Sequence, residues 1–324
     1  MIFIFATGMD SKEKYRELCR TEKSIPLFSR DWWLDVVCGE NNWGVLLAEN
    51  NGVIEAAMPL YTPVSGVVTM PPYAQTMGVW FNPVIKREKY YRELLRKQEI
   101  CAVFIDKLSE YRSFHQCFHH TFTDWLPFYW KGYRQTTRYT YLLPQINDRE
   151  LLWKCINQNQ KRNIEKARIK YNLVVKKGIP VEEFLEIHTK TYHRQGKKPY
   201  HQKIIERLVE EVRRRSQGEI WGAYDEQGRL HGVNFFVWQN DYSYCLASGG
   251  DPGMRGSGAH SLIIWEALPD LSTVSEALDF EGSMVKNIEY FNKGFGSIQT
   301  PYFSISKGKL TFLDRALIKW KRRG

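Results

Sequence analysis

The spacing of apolar positions divides the chain into many short elements, with helix-like and strand-like stretches in both halves. A helical segment is expected around Ser11–Cys19, and Ser29, Arg30 and Asp31 are placed to cap an apolar helix over Trp32–Val37. Trp43–Glu49 and Val53–Tyr61 read as strands. Asn50, Asn51 and Gly52 between them predict a tight hairpin, because Asn and Gly accept positive φ. Prolines 59, 63, 71, 72 and 83 interrupt the next stretch, which reads as a loop in which Tyr73, Trp80 and Phe81 either line a binding cleft or pin the loop to the core. Glu88–Lys97 is expected to be a charged helix, Ile100–Ile105 an apolar strand and Glu110–His120 a second helix. Tyr139–Leu143 reads as a strand, and Pro144 marks a boundary between two domains, 1–145 and 146–324.

In the second half, Asn147 and Asp148 cap a helix through Asn157, and a strongly basic helix over Lys161–Tyr171 follows. Val181–Tyr192 and Gln202–Arg215 read as two more helices. Strands are then expected at Ile220–Tyr224, Leu230–Trp238 and Tyr242–Ala247, an antiparallel meander. A glycine-rich loop, 249–258, runs into a helix over His260–Leu268. Ala277–Glu281 is strand-like, and Ser283 is placed to cap a helix over Val285–Asn292. At the end, Leu310, Leu313, Leu317 and Trp320 recur at helical spacing beside Arg315, Lys319, Lys321, Arg322 and Arg323. That pattern suits a helix docked on its own domain or a basic amphipathic helix against anionic lipid.

Composition narrows the class. Hydrophobic residues make up 43% of the 324 and charged residues 25%, so a folded globular protein is expected rather than a disordered or coiled-coil chain. The 46 Lys and Arg against 36 Asp and Glu give +10, and residues 151–215, with 17 basic and 7 acidic side chains, carry all of that excess. The charge therefore points to a local anionic ligand rather than to a basic protein as a whole. No signal-peptide pattern follows Met1–Phe5 and no apolar run is long enough to span a bilayer, so a cytoplasmic chain, free or at the inner membrane face, is expected. Six scattered cysteines without a CxxC pair suit reduced, buried thiols rather than disulfides or structural zinc. His115 and His119 could share a helix face with His120 beside them, but no partner ligands accompany them and no metal is expected. DNA binding is not expected either, since no zinc finger, RNP motif or helix-turn-helix accompanies the charge.

A strand, a glycine-rich loop and a helix in succession place several backbone N–H groups where they can bind phosphate. Arg255, Gly256, Ser257 and Gly258 resemble the pyrophosphate loop of the GNAT acyltransferases, with His260 standing where that pattern has a small residue. The resemblance implies an acyl-CoA donor bound by Arg255, Gly256, Ser257, Gly258 and His260. A wider set of segments occurs in the order seen in Fem-like proteins: Arg162–Ala167, Trp265–Ala267, Asp279–Ser283, Ile288–Gly296 and Pro301–Tyr302. The chain thus resembles the FemAB/FemX peptidoglycan-bridge aminoacyltransferases of bacteria and their acetyltransferase-like relatives. The resemblance covers 150–324 well and 25–145 more loosely. It implies an α/β (α+β) fold of two tandem GNAT-like domains, each a mixed, largely antiparallel sheet flanked by helices. Asn292 stands where the family has a lysine in its F-K-x-G-F-G motif, which makes Lys293 the candidate to replace it.

The implied activity is transfer of an acyl or aminoacyl group, from acyl-CoA or aminoacyl-tRNA, to an amine that is part of a cell-wall or lipid-linked envelope precursor. Such a transfer needs a base for the amine proton and donors for the oxyanion. Asp279 and Glu281, two apart on a strand, would share one face, with Leu278 and Phe280 turned into a core. Glu281 is the first candidate base and Asp279 the second, and helix capping or pairing with a cation remains an alternative role for both. Tyr302 is a candidate proton donor to the leaving group. Lys161, Arg162 and Lys166 on the basic helix, with Lys293, Tyr73 and Trp80, are the candidate substrate-binding residues. The competing reading is a double-GNAT protein that binds a cell-wall precursor or polysaccharide without turnover, favoured by His260 and Asn292. Peripheral membrane contact is compatible with either.

Overall fold

The computed structural model describes residues 9–86, 88–194, 196 and 201–321. Met1–Phe5, Lys197, Lys198, Arg322 and Arg323 lie outside the described residues. The first elements are α1 (Met9–Thr21), α2 (Asp31–Cys38), β1 (Trp43–Asn50), β2 (Val53–Val64), β3 (Val67–Thr69), β4 (Trp80–Phe81), α3 (Tyr90–Leu108), β5 (Ser113–Cys117), α4 (Leu126–Trp130) and β6 (Arg134–Leu143). There follow α5 (Arg149–Cys155), α6 (Gln158–Ile169), β7 (Val174–Lys177), α7 (Val181–Arg194), α8 (Gln202–Arg214), β8 (Gly218–Tyr224), β9 (Leu230–Gln239) and β10 (Tyr242–Gly250). The chain closes with α9 (Ala259–Leu271), β11 (Ala277–Asp279), α10 (Lys286–Lys293), β12 (Ile298–Gly308) and α11 (Phe312–Lys321). Two compact units result. One comprises residues 1–138 and 301–324, the other 139–300, so the division falls a few residues before the one at 145/146 and the C-terminal segment returns to the first unit.

In the first unit the strands lie in the order β1-β2-β3-β5-β12, with β4 on β2. The β1/β2 hairpin forms as its turn residues require: Asn51 and Gly52 have φ of 51° and 77°. The proline-punctuated stretch is not a simple loop, because β2 runs through Pro59 and Pro63 and the short strands β3 and β4 fall inside it. Helix α2 starts after Arg30 without a side-chain cap, and the Arg30 guanidinium instead bonds the carbonyls of Cys19 (2.6 Å) and Lys23 (2.9 Å).

The expected strand at Ile100–Ile105 is the second half of the continuous helix α3. Ile100, Cys101, Phe104, Ile105 and Leu108 form its buried face, a spacing of one helical stripe. Conversely, the expected helix at Glu110–His120 is the strand β5, held parallel to β3 and antiparallel to β12. His115 and His119 therefore share no helix face. His115 Nε2 lies 3.1 Å from Ser304 Oγ, and His119 Nδ1 lies 2.9 Å from Thr121 Oγ1. Phe104, Phe114, Phe118, Phe128 and Ile305 are the centre of this unit's core.

In the second unit the order is β6-β11-β10-β9-β8-β7, antiparallel throughout except for the parallel pair β10/β11. The meander β8–β10 and helices α5 to α9 fall where the sequence places them. Asp148 caps α5 by accepting from the Leu151 N–H at 2.9 Å. Ser283 accepts from the Val285 N–H at 3.0 Å, just ahead of α10. Helix α9 is apolar nearly all round, and Leu262, Ile263, Ile264, Leu268 and Leu271 sit in one core with Ile164 and Ala167 of α6 and Phe236 of β9. Each of the Leu, Ile and Phe side chains contributes about 1.5–3 kcal/mol on burial, which ties α6 and the start of α9 to the sheet. Both units thus have mixed, largely antiparallel sheets flanked by helices. Among the described residues no helix is long and apolar enough to cross a membrane.

Candidate functional site at the end of the parallel strand pair

The parallel ladder between β10 and β11 is short: Tyr242, Ser243 and Tyr244 face Ala277, Leu278 and Asp279. Beyond it β10 continues to Gly250, with a register shift against β9 between Cys245 and Ala247, while β11 stops. The chain leaves β11 through two successive left-handed residues, Glu281 (φ 57°) and Gly282 (φ 52°). A Cβ at position 282 would run into the Tyr139 carbonyl oxygen, so only glycine fits the second position. The buried Asp279 carboxylate builds this turn, since its Oδ1 accepts from the Thr140 hydroxyl and, at 2.7 Å, from the Glu281 N–H.

Leu278 and Phe280 enter the core as expected, but strand alternation ends at Asp279. The two carboxyl groups therefore have different surroundings rather than one shared strand face. Asp279 is engaged by donors, whereas Glu281 Oε1 is buried and has no hydrogen-bond partner among the described residues. Burial, and then the charge of Asp279, push the Glu281 carboxyl well above the usual carboxylate range.

A polar chain leads from this point across the sheet. The Cys245 thiol is pushed up to about 12, chiefly by burial, with the charges of Glu281 and Asp279 adding to the effect. Its Sγ accepts from Asn234 Nδ2 at 3.2 Å, and Asn234 Oδ1 lies 2.9 Å from His260 Nδ1. That arrangement gives the proton to Nδ1 of a neutral His260. Burial lowers the His260 imidazole to about 4. An NMR titration is expected to show His260 neutral at pH 7 with a midpoint near 4, against ~6.5 for a free imidazole. A midpoint at or above 6 would mean that the ring is solvated. Because the folded value is depressed, the stability this histidine contributes is present above ~6.5 and is lost as the pH falls toward 4.

His260 stands in the first turn of α9, directly after the glycine-rich loop. Asp251 opens that loop by accepting from the Gly253 N–H at 2.8 Å, a tight turn spans Pro252–Ser257, and Gly258 (φ 83°) precedes α9 with no side-chain cap. Arg255 and Gly256 are exposed and Ser257 is buried. A Cβ on Gly258 would overlap the Asn163 carbonyl oxygen of α6, so the loop and the basic helix are in direct contact.

Helix α6 is fixed from its other side. Asn157 caps it, Gln160 Nε2 donates to the Phe291 carbonyl (3.0 Å), and the Ser261 hydroxyl donates to Gln160 Oε1 (2.6 Å). Lys161 and Lys166 are half-buried and Arg162 is exposed. Part of the cationic excess around them is paired locally: Arg168 with Glu266, and Lys177 with Asp270 at 2.7 Å.

Glu281, Asp279, His260, the 255–258 loop and α6 all belong to the second unit. Lys293 is held 3.0 Å from Glu289 on α10, with its ammonium 5.5 Å from the Tyr290 ring, and the neighbouring Asn292 is buried with Nδ2 unbonded among the described residues. Tyr302, Tyr73 and Trp80 belong to the first unit. Tyr302 and Trp80 are buried there. The Trp80 indole N–H donates to Ser24 Oγ (3.1 Å), and the Tyr73 carbonyl accepts from the Trp33 indole (3.0 Å), so this aromatic stretch is pinned to its core. Sequence reasoning missed Thr140, Asn234 and Cys245. Asn234 carried a readable signal, being the one polar residue in the apolar run Val233–Val237, and such a residue is retained in a core only with partners.

Residues 157–276 match the family described as acetyltransferase (GNAT) domain. No curated protein matches the chain. Among solved structures, FemX shares 11% identity at a TM-score of 0.67, covering 99% of both chains. L-PGS from Bacillus licheniformis shares 8% at 0.54, covering 98% of each. A tandem GNAT protein from the clavulanic acid biosynthesis pathway shares 10% at 0.52, covering 94% of this chain and 98% of that one. At such identities the likeness is one of fold: the chain has the tandem GNAT architecture of FemX and its structural neighbours, as its motif order implied.

Proposed function

We propose that the second unit transfers an acyl or aminoacyl group to an amine, with Glu281 as the base. The observation that carries this reading is the buried Glu281 Oε1, without a hydrogen-bond partner among the described residues, at the point where β11 ends and β10 runs on. A carboxyl shifted upward in this way is a stronger base once ionised than an ordinary surface carboxylate. The amine nitrogen attacks the donor's carbonyl carbon, Glu281 takes the amine proton, and the thiolate or ribose oxygen of the donor leaves. Asp279 holds the turn that aims Glu281. Phosphates of the donor would lie against the exposed backbone of Arg255 and Gly256 and the start of α9, where the helix end favours negative charge, with Lys161, Arg162 and Lys166 of the adjoining α6 supplying cations. The step needs no residue of the first unit.

Both donor classes carry phosphate as well as a reactive ester or thioester. Isothermal calorimetry with acetyl-CoA and with aminoacyl-tRNA separates them. Binding of acetyl-CoA that weakens on loss of Arg255 supports a coenzyme A donor. Tight tRNA binding whose logarithm falls steeply with salt assigns the donor to tRNA instead. The reading without turnover rests on Asn292, whose side chain is buried where Fem-like proteins have a lysine, and on His260, whose Nε2 lies 2.9 Å from where a Cβ on Gly250 would be. Donor binding with no product in the presence of diverse amines would favour it.

A further inference from the structure

Helix α11 is amphipathic in an unexpected orientation. Thr311 and Asp314 form a reciprocal cap at its start: Asp314 Oδ2 accepts from the Thr311 N–H (2.9 Å), and the Asp314 N–H donates to Thr311 Oγ1 (3.1 Å). Asp314 also pairs with Arg112, and Asp314 and Ile318, one turn apart, are the buried positions among the described side chains of the helix. These contacts fix the rotation of the helix within the first unit. Of the stripe expected to dock, Leu313 and Leu317 consequently face outward and Leu310 is half-buried, while the Trp320 side chain lies outside the described residues. Phe312 is 85% exposed, Leu313 70% and Leu317 45%. At about 100° per residue, Phe312, Ala316, Leu313 and Leu317 fall in one arc of about 140°, opposite Asp314 and Ile318.

The charge beside that arc is of one sign. Residues 309–324 contain six Lys and Arg and a single acidic residue, Asp314, which is turned inward and paired with Arg112. Arg315 and Lys319 are exposed on the flank of the arc, and Lys309 is exposed just ahead of the helix. Three large apolar side chains left in water beside cations, with no anion on the outward face, match one environment: the boundary between acyl chains and anionic headgroups, into which Phe and Leu insert while Arg and Lys meet phosphate. The helix is far too short to span a bilayer.

We propose that α11 is a peripheral docking helix that lays its Phe312–Leu317 face into an anionic membrane surface. The inference is independent of the acyl-transfer reading, since it concerns only the first unit and no residue placed in the site. Each cation at such a surface strengthens partition by about fivefold.

The test is co-sedimentation of the full chain with vesicles of phosphatidylcholine alone or mixed with phosphatidylglycerol, at low and high salt. Partition into the phosphatidylglycerol vesicles is expected, with at least a tenfold loss in the Phe312→Ser, Leu313→Ser pair and in the Arg315→Gln, Lys319→Gln pair, and a clear weakening in high salt. Thermal melts should be nearly unchanged in both pairs, because these side chains are exposed. Equal partition into neutral vesicles, no partition at all, or partition untouched by either pair overturns the proposal. Sedimentation velocity without lipid supplies the last check: self-association abolished by Phe312→Ser, Leu313→Ser would assign the face to a second copy of the chain and overturn the membrane assignment.

Discussion

Glu281→Gln is expected to lower kcat/KM for acyl transfer by about 10²- to 10⁴-fold, the usual contribution of a positioned general base. The amide keeps the size and turn geometry of the glutamate, including the N–H that bonds Asp279, so the fold should survive. The wild-type rate should rise with pH until the carboxyl, held above its ordinary range by burial and by Asp279, has ionised. A second readout separates a base from a structural carboxylate. A carboxyl whose folded pKa is raised gives its full stability below the unfolded value of ~4.3, and that stability is lost as the pH rises toward the folded value. Glu281→Gln should therefore melt higher than the wild type at pH 8 and show no such gain at pH 4. If the variant melted lower at pH 8 and retained transfer within a few-fold, Glu281 would be an ordinary paired or capping carboxylate.

Gly258→Ala should destabilise the second unit by about 2–4 kcal/mol, read from urea unfolding. An alanine at φ 83° is strained, and its methyl group would meet the Asn163 carbonyl oxygen, a backbone atom that moves only with α6. Gly256→Ala makes the contrast. There the nearest atom to an added Cβ is Tyr171 Oη at 3.9 Å and the backbone needs no positive φ, so stability should change by less than about 0.5 kcal/mol. If donor phosphates lie against this loop, Gly256→Ala weakens donor binding by about tenfold without shifting the unfolding midpoint. Unchanged binding in Gly256→Ala would remove the loop backbone from the donor site.

Elements governed by their own residues were legible. The Asn51-Gly52 hairpin, the β8–β10 meander, the Asp148 cap and the glycine loop entering α9 each carry a local signal that acts within a few residues. The stretch 100–120 was not. The buried half of α3 is apolar enough to read as a strand, and β5 becomes a strand only because β3 and β12 supply its hydrogen bonds, the latter from almost two hundred residues away. The site divides in the same way. Asp279, Glu281 and the 255–258 loop could be named from motif order, but the positive φ at Glu281 that separates the roles of the two carboxyl groups follows from Thr140 and Tyr139 on a neighbouring strand.

By itself the sequence determined the tandem α/β plan, the glycine loop with its following helix, the carboxylate pair and the concentration of charge in residues 151–215. The tertiary structure decided where that charge is placed, by packing Ile164 and Ala167 inward so that α6 abuts Gly258, and by pairing Arg168 and Lys177 with acidic residues outside the segment. It also decided which face of α11 is buried. Helical periodicity shows that a stripe exists, but the ion pair of the buried Asp314 with the exposed Arg112 can hold the opposite side inward, and that choice depends on a residue two hundred positions away.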